Sequence, residues 1–151
     1  MTATATRLID YRPPAWTVRD VVLRFELDFA ETRVFARLRL ERHPARDDGA
    51  PLRLHGEDLD TQSLRLDGRA LGSGDYRIDG DLLEIAAAIS PCVLESEVLI
   101  HPERNTRLEG LYRSGEFLTT QCEAEGFRRI TWFIDRPDVM ATYHVRLEAD
   151  R

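Results

Sequence analysis

The chain has 151 residues, of which 42% are hydrophobic and 32% are charged, and these values predict one globular domain, residues 1–151, with its own core. Its formal net charge is −6, and every one of its 21 basic residues is arginine. An acidic chain without a clustered basic face argues against nucleic acid as the main partner.

The two cysteines, Cys92 and Cys122, lack the spacing of a metal or redox motif, so we expect free thiols in a reducing compartment. The spacing does not indicate what either thiol does. Residues Met1 to Thr6 lack the charged region and long apolar run of a signal peptide. No apolar run approaches the length that crosses a bilayer. We therefore predict a cytoplasmic protein that makes no membrane contact.

The first regular structure predicted in the chain is a long antiparallel hairpin. Tyr11-Arg12-Pro13-Pro14 is expected to be extended, because two prolines exclude a helix. Apolar residues then alternate with other residues from Val21 to Phe29 and again from Val34 to Leu40. Ala30-Glu31-Thr32 separates the two runs as a turn. A period of two on both sides of a turn is typical of paired, half-buried strands.

Later segments carry short strand signals at close spacing. Asp67-Gly68 predicts a tight hairpin, because a type I′ turn requires positive φ angles. Only 128–133 resembles a helix, of one or two turns, with a second short turn at 136–141. Eight or nine strands predict an all-β protein, an antiparallel sandwich or curved sheet. The later strands are expected at 52–54, 93–101, 108–112, 117–121 and 142–148, with hairpins at 64–71 and 76–85.

The run from Gln121 to Asp138 is the densest mixture of acids, arginines and aromatic residues in the chain. Glu123 and Glu125 are two residues apart, so on a strand they would lie on one face and repel each other. In one interpretation, Arg128 and Arg129 neutralise both carboxylates in a surface cluster. In the other, one carboxylate is kept for a cationic ligand. The residues alone leave both interpretations open.

Other candidate chemistry in the chain is weak. Cys122 near Arg128 could serve as a nucleophile, but no base partner is identifiable, so packing is the preferred interpretation. His55-Gly56-Glu57 is not the H-E-x-x-H zinc motif. No two histidines have metal-ligand spacing, and we predict no metal site in this chain. The four histidines are His43, His55, His101 and His144.

Several segments resemble the N-terminal domain of the aminopeptidase N family, the zinc gluzincin aminopeptidases that include the bacterial alanyl aminopeptidases. Gln121-Cys122-Glu123-Ala124-Glu125-Gly126-Phe127-Arg128 and Asp135-Arg136-Pro137-Asp138-Val139 carry the closest resemblance. Asn105 to Gly115 is similar to the family pattern N-x-x-L-x-G-L-Y-x-S-G. The leucine-rich turn 52–59 and the entry segment 11–14 also match, in the same order.

The resemblance implies a saddle-like β domain packed against a thermolysin-like catalytic domain. It implies that Glu123 binds the free α-amino group at the N-terminus of a peptide substrate, and that Gln121 lines the first side-chain pocket. A substrate ammonium in a closed cleft needs a fixed carboxylate partner. We also expect an apolar patch near Trp132 and Phe133, where the catalytic domain would dock.

The family's H-E-x-x-H motif, its G-A-M-E-N loop and its transition-state tyrosine are absent from this sequence. The resemblance therefore implies that zinc is bound outside this chain in a larger enzyme, and that the fragment holds no catalytic residue and is inactive alone. The alternative is a stand-alone, non-catalytic β-sandwich that binds or interacts without chemistry. Continuation of the reading frame into H-E-x-x-H would separate the two hypotheses.

Overall fold

The computed structural model describes residues 7–46 and 48–150 and confirms the predicted all-β fold. The described residues form eleven strands and three 3₁₀ helices, Leu8–Asp10, Pro102–Arg104 and Phe127–Arg129. The strand Arg69–Ala70 has two residues and the strand Arg77–Asp79 has three, which is too short to give a periodic signal. This accounts for the lower number of strands predicted from the sequence. The strands are β1 (Trp16–Leu27), β2 (Thr32–Arg42), β3 (Leu52–His55), β4 (Asp60–Leu66), β5 (Arg69–Ala70), β6 (Arg77–Asp79), β7 (Leu82–Ile85), β8 (Cys92–Ile100), β9 (Gly110–Ser114), β10 (Phe117–Gln121) and β11 (Thr142–Ala149).

The strands form three sheets. The largest has the order β11-β1-β2-β8-β4-β5, the second β3-β7-β6, and the third is the β9–β10 hairpin. Side chains from all three sheets join one hydrophobic core, with Leu38 and Val98 from the large sheet, Leu54 and Leu83 from the second, and Leu111 from the hairpin. No helix among the described residues is long and apolar enough to cross a membrane. The predicted lack of a signal peptide concerns Met1 to Thr6, which lie outside the described residues.

Both predicted hairpin turns are present. β1 and β2 pair antiparallel, although the turn lies at Asp28 to Glu31 because β2 already begins at Thr32. The Asp28 carboxylate accepts a hydrogen bond from the Ala30 N–H at 2.8 Å and so stabilises this turn. Between β4 and β5, Asp67 and Gly68 have φ angles of 50° and 80°, as a type I′ turn requires.

The last strand departs from the antiparallel prediction. β11 pairs with β1 in parallel, so that Tyr143, Val145 and Leu147 stand beside Val21, Leu23 and Phe25. The three β1 residues belong to the core, but their β11 neighbours are 46%, 56% and 63% exposed. The apolar face of the large sheet therefore continues across β11 without a cover. We call Tyr143, Val145 and Leu147 the β11 row.

Trp132 and Phe133 do not themselves form the apolar patch that is expected near them. These side chains are only 2% and 3% exposed. The indole N–H of Trp132 donates to Thr61 Oγ1 at 2.9 Å, and the ring of Phe133 packs edge-on against Phe127 with centroids 4.8 Å apart. A tryptophan whose one polar group has a partner can be buried at little cost. The exposed apolar side chains of this region belong to the β11 row, in which the ring of Tyr143 lies 6.5 Å from that of Phe133.

The burial difference predicts unequal stability effects for two leucines. Replacing Leu38, which is 1% exposed between β1 and β8, by alanine should lower the free energy of unfolding by about 2–5 kcal/mol, because a cavity forms in the core. Leu147→Ala should change it by about 0.5 kcal/mol or less, because that side chain remains in water. Urea denaturation of both variants of the chain measures the difference, and equal losses would contradict the described core.

Candidate functional site

The residues Gln121 to Arg129 form a strand end, a turn and a 3₁₀ helix. β10 ends at Gln121, and the turn is closed by the Gly126 N–H, which donates to the carbonyl of Cys122 at 2.9 Å. A Cβ atom at Gly126 would lie 2.8 Å from the carbonyl oxygen of Gln121, so only glycine allows this close approach. Glu123 and Glu125 both lie in the turn and not on a strand, so they do not share a strand face. The Glu123–Ala124 peptide bond is cis.

Arg129, at the end of the 3₁₀ helix, contacts two segments that are distant from it in the chain. Its side chain is only 6% exposed and forms ion pairs with Glu57 and Asp58 at 2.5 Å and with Glu109 at 3.3 Å. Glu57 and Asp58 belong to the leucine-rich turn, and Glu109 precedes β9. A buried guanidinium requires such partners, because an uncompensated buried charge is strongly destabilising. Segments that the sequence shows only as separate motifs therefore meet at one side chain.

Arg128 lies 3.9 Å from Glu57 as well, but its hydrogen bonds go to Asp135. Its backbone N–H and its Nε each donate to Asp135 Oδ2 at 3.0 Å, and its Nη2 donates to the Asp135 carbonyl at 3.0 Å. The Asp135 N–H donates to Nδ1 of His55 at 3.3 Å. His55 also pairs with Phe133 through two backbone hydrogen bonds of 2.7 and 3.0 Å. The central run is thus attached to the end of β3.

The entry segment reaches the end of the same run. The Tyr11 hydroxyl donates to Asp138 Oδ2 at 2.8 Å, and Arg136 holds the same carboxylate through two hydrogen bonds of 2.7 and 2.8 Å. The hydrogen bonds from Arg136, with help from Tyr11, lower the pKa of Asp138 to about 2. All the segments that carry the family resemblance therefore meet in space.

The two carboxylates of the turn have different surroundings. Glu125 lies 3.1 Å from Nη2 of Arg128 and is paired there. Glu123 forms no ion pair with any arginine in the described part of the chain; its one side-chain contact is Nε2 of Gln121, at 3.5 Å from Oε2. Gln121 and Glu123 are both exposed. The interpretation that arginines neutralise both carboxylates therefore holds for Glu125 only.

The thiol of Cys122 does not have the surroundings of a nucleophile. Burial raises its pKa, and the nearby carboxylates of Asp135 and Glu123 raise it further. A reactive cysteine needs the opposite shift, toward the thiolate. Burial likewise raises the pKa of Cys92, to about 11. The packing interpretation is the one that these surroundings favour.

The residues that the structure describes do not fit a zinc ion. In residues 7–46 and 48–150, no three or more His, Cys, Asp or Glu side chains are grouped so that they could hold a metal. Nδ1 of His55 already accepts the Asp135 N–H, and Nδ1 of His101 lies 3.0 Å from the carbonyl of Ala30. Structural or catalytic zinc needs three or four such ligands around one point.

Beside the turn lies an apolar groove of about 440 Å³. Cys122 and Phe127 form its end nearest the turn, and Leu118 of β10 contributes to its wall. The β11 row forms part of its lining, together with Leu23, Phe25, Leu27, Leu111, Thr120 and Ile130. Sequence patterns do not indicate this groove, because its walls come from strands that are far apart in the chain. The exposed carboxylate of Glu123 thus stands next to an uncovered apolar surface.

Comparisons with known proteins show which family the chain resembles. Residues 79–151 match the Peptidase M1 N-terminal domain family. The curated aminopeptidase N of Caulobacter vibrioides is 47% identical over 99% of this chain, and that of Escherichia coli is 42% identical over 94%. These matches cover 17% and 16% of the two relatives, so the chain spans about a sixth of their length.

Solved structures show the same fold. Aminopeptidase A of Legionella pneumophila, in complex with aspartic acid, superposes with a TM-score of 0.85 at 29% identity, over 94% of this chain and 17% of that one. Native yeast LTA4 hydrolase gives a TM-score of 0.71 at 20% identity, over 89% of this chain and 23% of its own. At that identity the yeast protein supports the fold alone.

The position of His55 predicts a pH-dependent stability. Burial, and after it the charge of Arg128, lowers the pKa of His55. Its usual value is about 6.5, so as the pH falls below about 6.5 the unfolded chain binds a proton that the folded chain resists, and stability is lost. His55→Asn should weaken the fall in melting temperature between about pH 7.5 and pH 5, because an amide oxygen can still accept the Asp135 N–H.

The matched control is His144→Asn, on the exposed strand β11, which should leave the pH dependence of the wild type unchanged. Thermal unfolding of the chain followed by circular dichroism measures all three proteins. A pH dependence that survives in the His55 variant would rule out this histidine as its source.

Proposed function

From its similarity to the Peptidase M1 N-terminal domain and to aminopeptidase N, we propose that the chain is part of an aminopeptidase that removes N-terminal residues from peptides. In this proposal Glu123 binds the α-ammonium group of the substrate and Gln121 lines the pocket for the first side chain. The relatives named aminopeptidase N support the reaction class. The span of residues 1–151 as one domain and the cytoplasmic location stay predictions.

The unpaired state of Glu123 carries this proposal. The neighbouring acids Glu125 and Asp135 are already held by Arg128, and a ligand ammonium would have to displace that guanidinium. Glu123 has no such competitor and is exposed at the turn. An exposed carboxylate without a cation can offer its full charge to an incoming ammonium.

The ammonium contact depends on a cover over the turn. An exposed ion pair in water contributes only about 0–1 kcal/mol, because solvent screens both charges. The same contact becomes several-fold stronger where water is excluded and the effective dielectric constant falls. We therefore propose that a catalytic domain closes over Glu123 and that the chain alone binds peptide amines weakly and cleaves nothing.

In this proposal zinc is bound by the catalytic domain, outside this chain. The solved neighbours include an M1 zinc metallopeptidase of Deinococcus radiodurans, at 14% identity and a TM-score of 0.69. The residues described above do not fit the metal, so they take part in binding and orienting the substrate amine and not in activating water.

The β11 row is the surface through which we propose that the chain docks on its catalytic domain. The row continues the core face of the large sheet, it is half exposed, and it lines the groove beside the Glu123 turn. Domain interfaces within a chain are partly apolar, and a contiguous apolar surface of this kind marks an interaction site. Covering the row would also place the partner domain next to Glu123.

The amine-binding role can be tested in a chimera in which this chain replaces the matching segment of Caulobacter vibrioides aminopeptidase N. In that enzyme Glu123→Gln keeps the shape of the side chain but removes the charge that pairs with the substrate ammonium. The loss should be about 2–5 kcal/mol, which lowers kcat/KM by about 30- to 5000-fold. Steady-state kinetics on an aminoacyl chromogenic substrate gives this ratio.

The control is Glu125→Gln, whose exposed pair with Arg128 should contribute no more than about 1 kcal/mol, or about fivefold. Zinc content should be the same in all chimeras, since neither residue is a predicted ligand. Equal activity of the Glu123 variant and the parent would remove the amine-binding role. A parent chimera that is folded and zinc-loaded but inactive would favour the non-catalytic β-sandwich instead.

The docking role predicts self-association of the chain on its own. With the β11 row bare, the chain should associate at high concentration, and the double variant Val145→Thr, Leu147→Gln should weaken association by about tenfold or more, since burying each side chain contributes roughly 1.5–3 kcal/mol. Ile89→Gln, at a 78% exposed position outside the groove, should change nothing. Analytical ultracentrifugation compares the three chains, and a strictly monomeric wild-type chain would count against the docking surface.

A further inference from the structure

The turn that carries Glu123 has two attachments to the rest of the fold. On one side it continues β10, whose last residue, Gln121, pairs in register with Gly110 of β9. On the other side it runs through Gly126 into the 3₁₀ helix that contains Arg128. Between these points residues 123, 124 and 125 are all exposed. The direction of the Glu123 side chain therefore depends on how firmly both ends are held.

At the second end, the Glu57 N–H donates to the carbonyl of Arg128 at 2.9 Å, and Glu57 Oε1 lies 3.9 Å from Arg128 Nη1. The side chain of Arg128 itself is hydrogen-bonded to Asp135. Three hydrogen bonds of 3.0 Å join the two residues, one of them from the backbone N–H of Arg128 itself. The side chains are 16% and 8% exposed, so water competes poorly for these contacts. Asp135 is fixed in turn, because its N–H donates to His55 and it directly follows the buried residues Phe133 and Ile134. The pair thus attaches the exposed turn to the core.

The pair with Asp135 also determines which carboxylates the guanidinium of Arg128 contacts. Arg128 is five residues from Glu123, and its guanidinium is occupied by Asp135 and, at 3.1 Å, by Glu125. A guanidinium released from Asp135 would still lie near Glu125 and Glu57, but its freed Nε could also pair with Glu123, which has no arginine partner of its own among the described residues. Glu123 would then have to leave an internal arginine before it could bind a substrate ammonium.

We propose that Arg128 and Asp135 are a positioning pair that orients the Glu123 turn and keeps its carboxylate unpaired for the substrate amine. This inference rests on the proposed role of Glu123. The pair touches neither substrate nor metal; it acts through the turn. Asp138 offers a matched comparison, because it is also an aspartate held by an arginine, three residues further along, but its partners Arg136 and Tyr11 do not belong to the turn.

The first experiment uses the chain itself and does not depend on the enzyme. In a ¹⁵N-labelled chain, Asp135→Asn should shift the amide signals of Glu123 to Gly126 and increase their nanosecond mobility, because one end of the turn is released. Asp138→Asn should leave those signals in place. If the turn is as rigid in the Asp135 variant as in the wild type, the pair does not hold it and the inference is wrong.

The second experiment measures amine recognition in the chimera. An amino-acid hydroxamate and the same hydroxamate without its amine are compared as inhibitors, so that the ratio of their inhibition constants reports the amine contact alone. Asp135→Asn should lower kcat/KM by about 10- to 100-fold, as expected when a binding group is misplaced by about an ångström. It should also reduce the inhibitor ratio toward the value of the Glu123→Gln enzyme. A loss of folded protein alone would not move this ratio.

Because the pair acts through Glu123, the double variant Glu123→Gln, Asp135→Asn should match Glu123→Gln alone within about threefold, a strong departure from additivity. Additive losses would overturn the inference, and so would an unchanged inhibitor ratio in the Asp135 enzyme. If Glu123→Gln itself leaves activity and ratio unchanged, the proposed function fails instead. If Asp135→Asn fails to fold, Arg128→Lys replaces it, because lysine keeps the charge but loses the planar fork that binds Asp135. The ratio of the two inhibition constants in that variant then tests the inference in the same way.

Discussion

The burial of one guanidinium is the constraint on which the rest of the site depends. Arg129 is 6% exposed and meets carboxylates from two other segments, Glu57 and Asp58 from the end of β3 and Glu109 from the approach to β9. Removing an arginine from water is costly, and the cost is offset only when several acceptors are held around it. The fold must therefore bring these segments together before Arg129 can enter the interior. Once they are together, the turn before Arg129 has a fixed place.

The neighbouring arginine explains how an exposed turn can present a defined carboxylate. Arg128 and Asp135 satisfy each other and tie the start of the 3₁₀ helix to the core, while Glu125 takes the remaining side of the guanidinium. Glu123 is left with a single long contact to Gln121. The surface is rich in arginine, so a carboxylate stays without an arginine partner only if the nearby guanidinium groups are paired with other carboxylates. The pairing of its neighbours is thus what makes Glu123 available.

The large sheet has one apolar face, which is buried in the core along β1 but exposed along β11. Val21, Leu23 and Phe25 are covered by the core, whereas Tyr143, Val145 and Leu147 continue the same face and remain half exposed. The groove that they line ends at Cys122 and Phe127, beside the turn. An apolar surface and an unpaired carboxylate at adjacent positions suit a partner that brings both apolar side chains and a cationic group. This combination links the docking surface to the proposed amine site.

The sequence by itself determined most of the strands and turns and the resemblance to the aminopeptidase N family. Period-two patterns located β1, β2 and the later strands, Asp67-Gly68 located its turn, and the run around Glu123 and Gln121 indicated the family, because these signals depend on residues close together in the chain. Local patterns could not show that β11 pairs in parallel, that Trp132 is buried, or that Arg129 turns inward while Arg128 binds Asp135. Those outcomes depend on which distant segments become neighbours. Only the tertiary structure could therefore decide that Glu125 is paired and Glu123 is not.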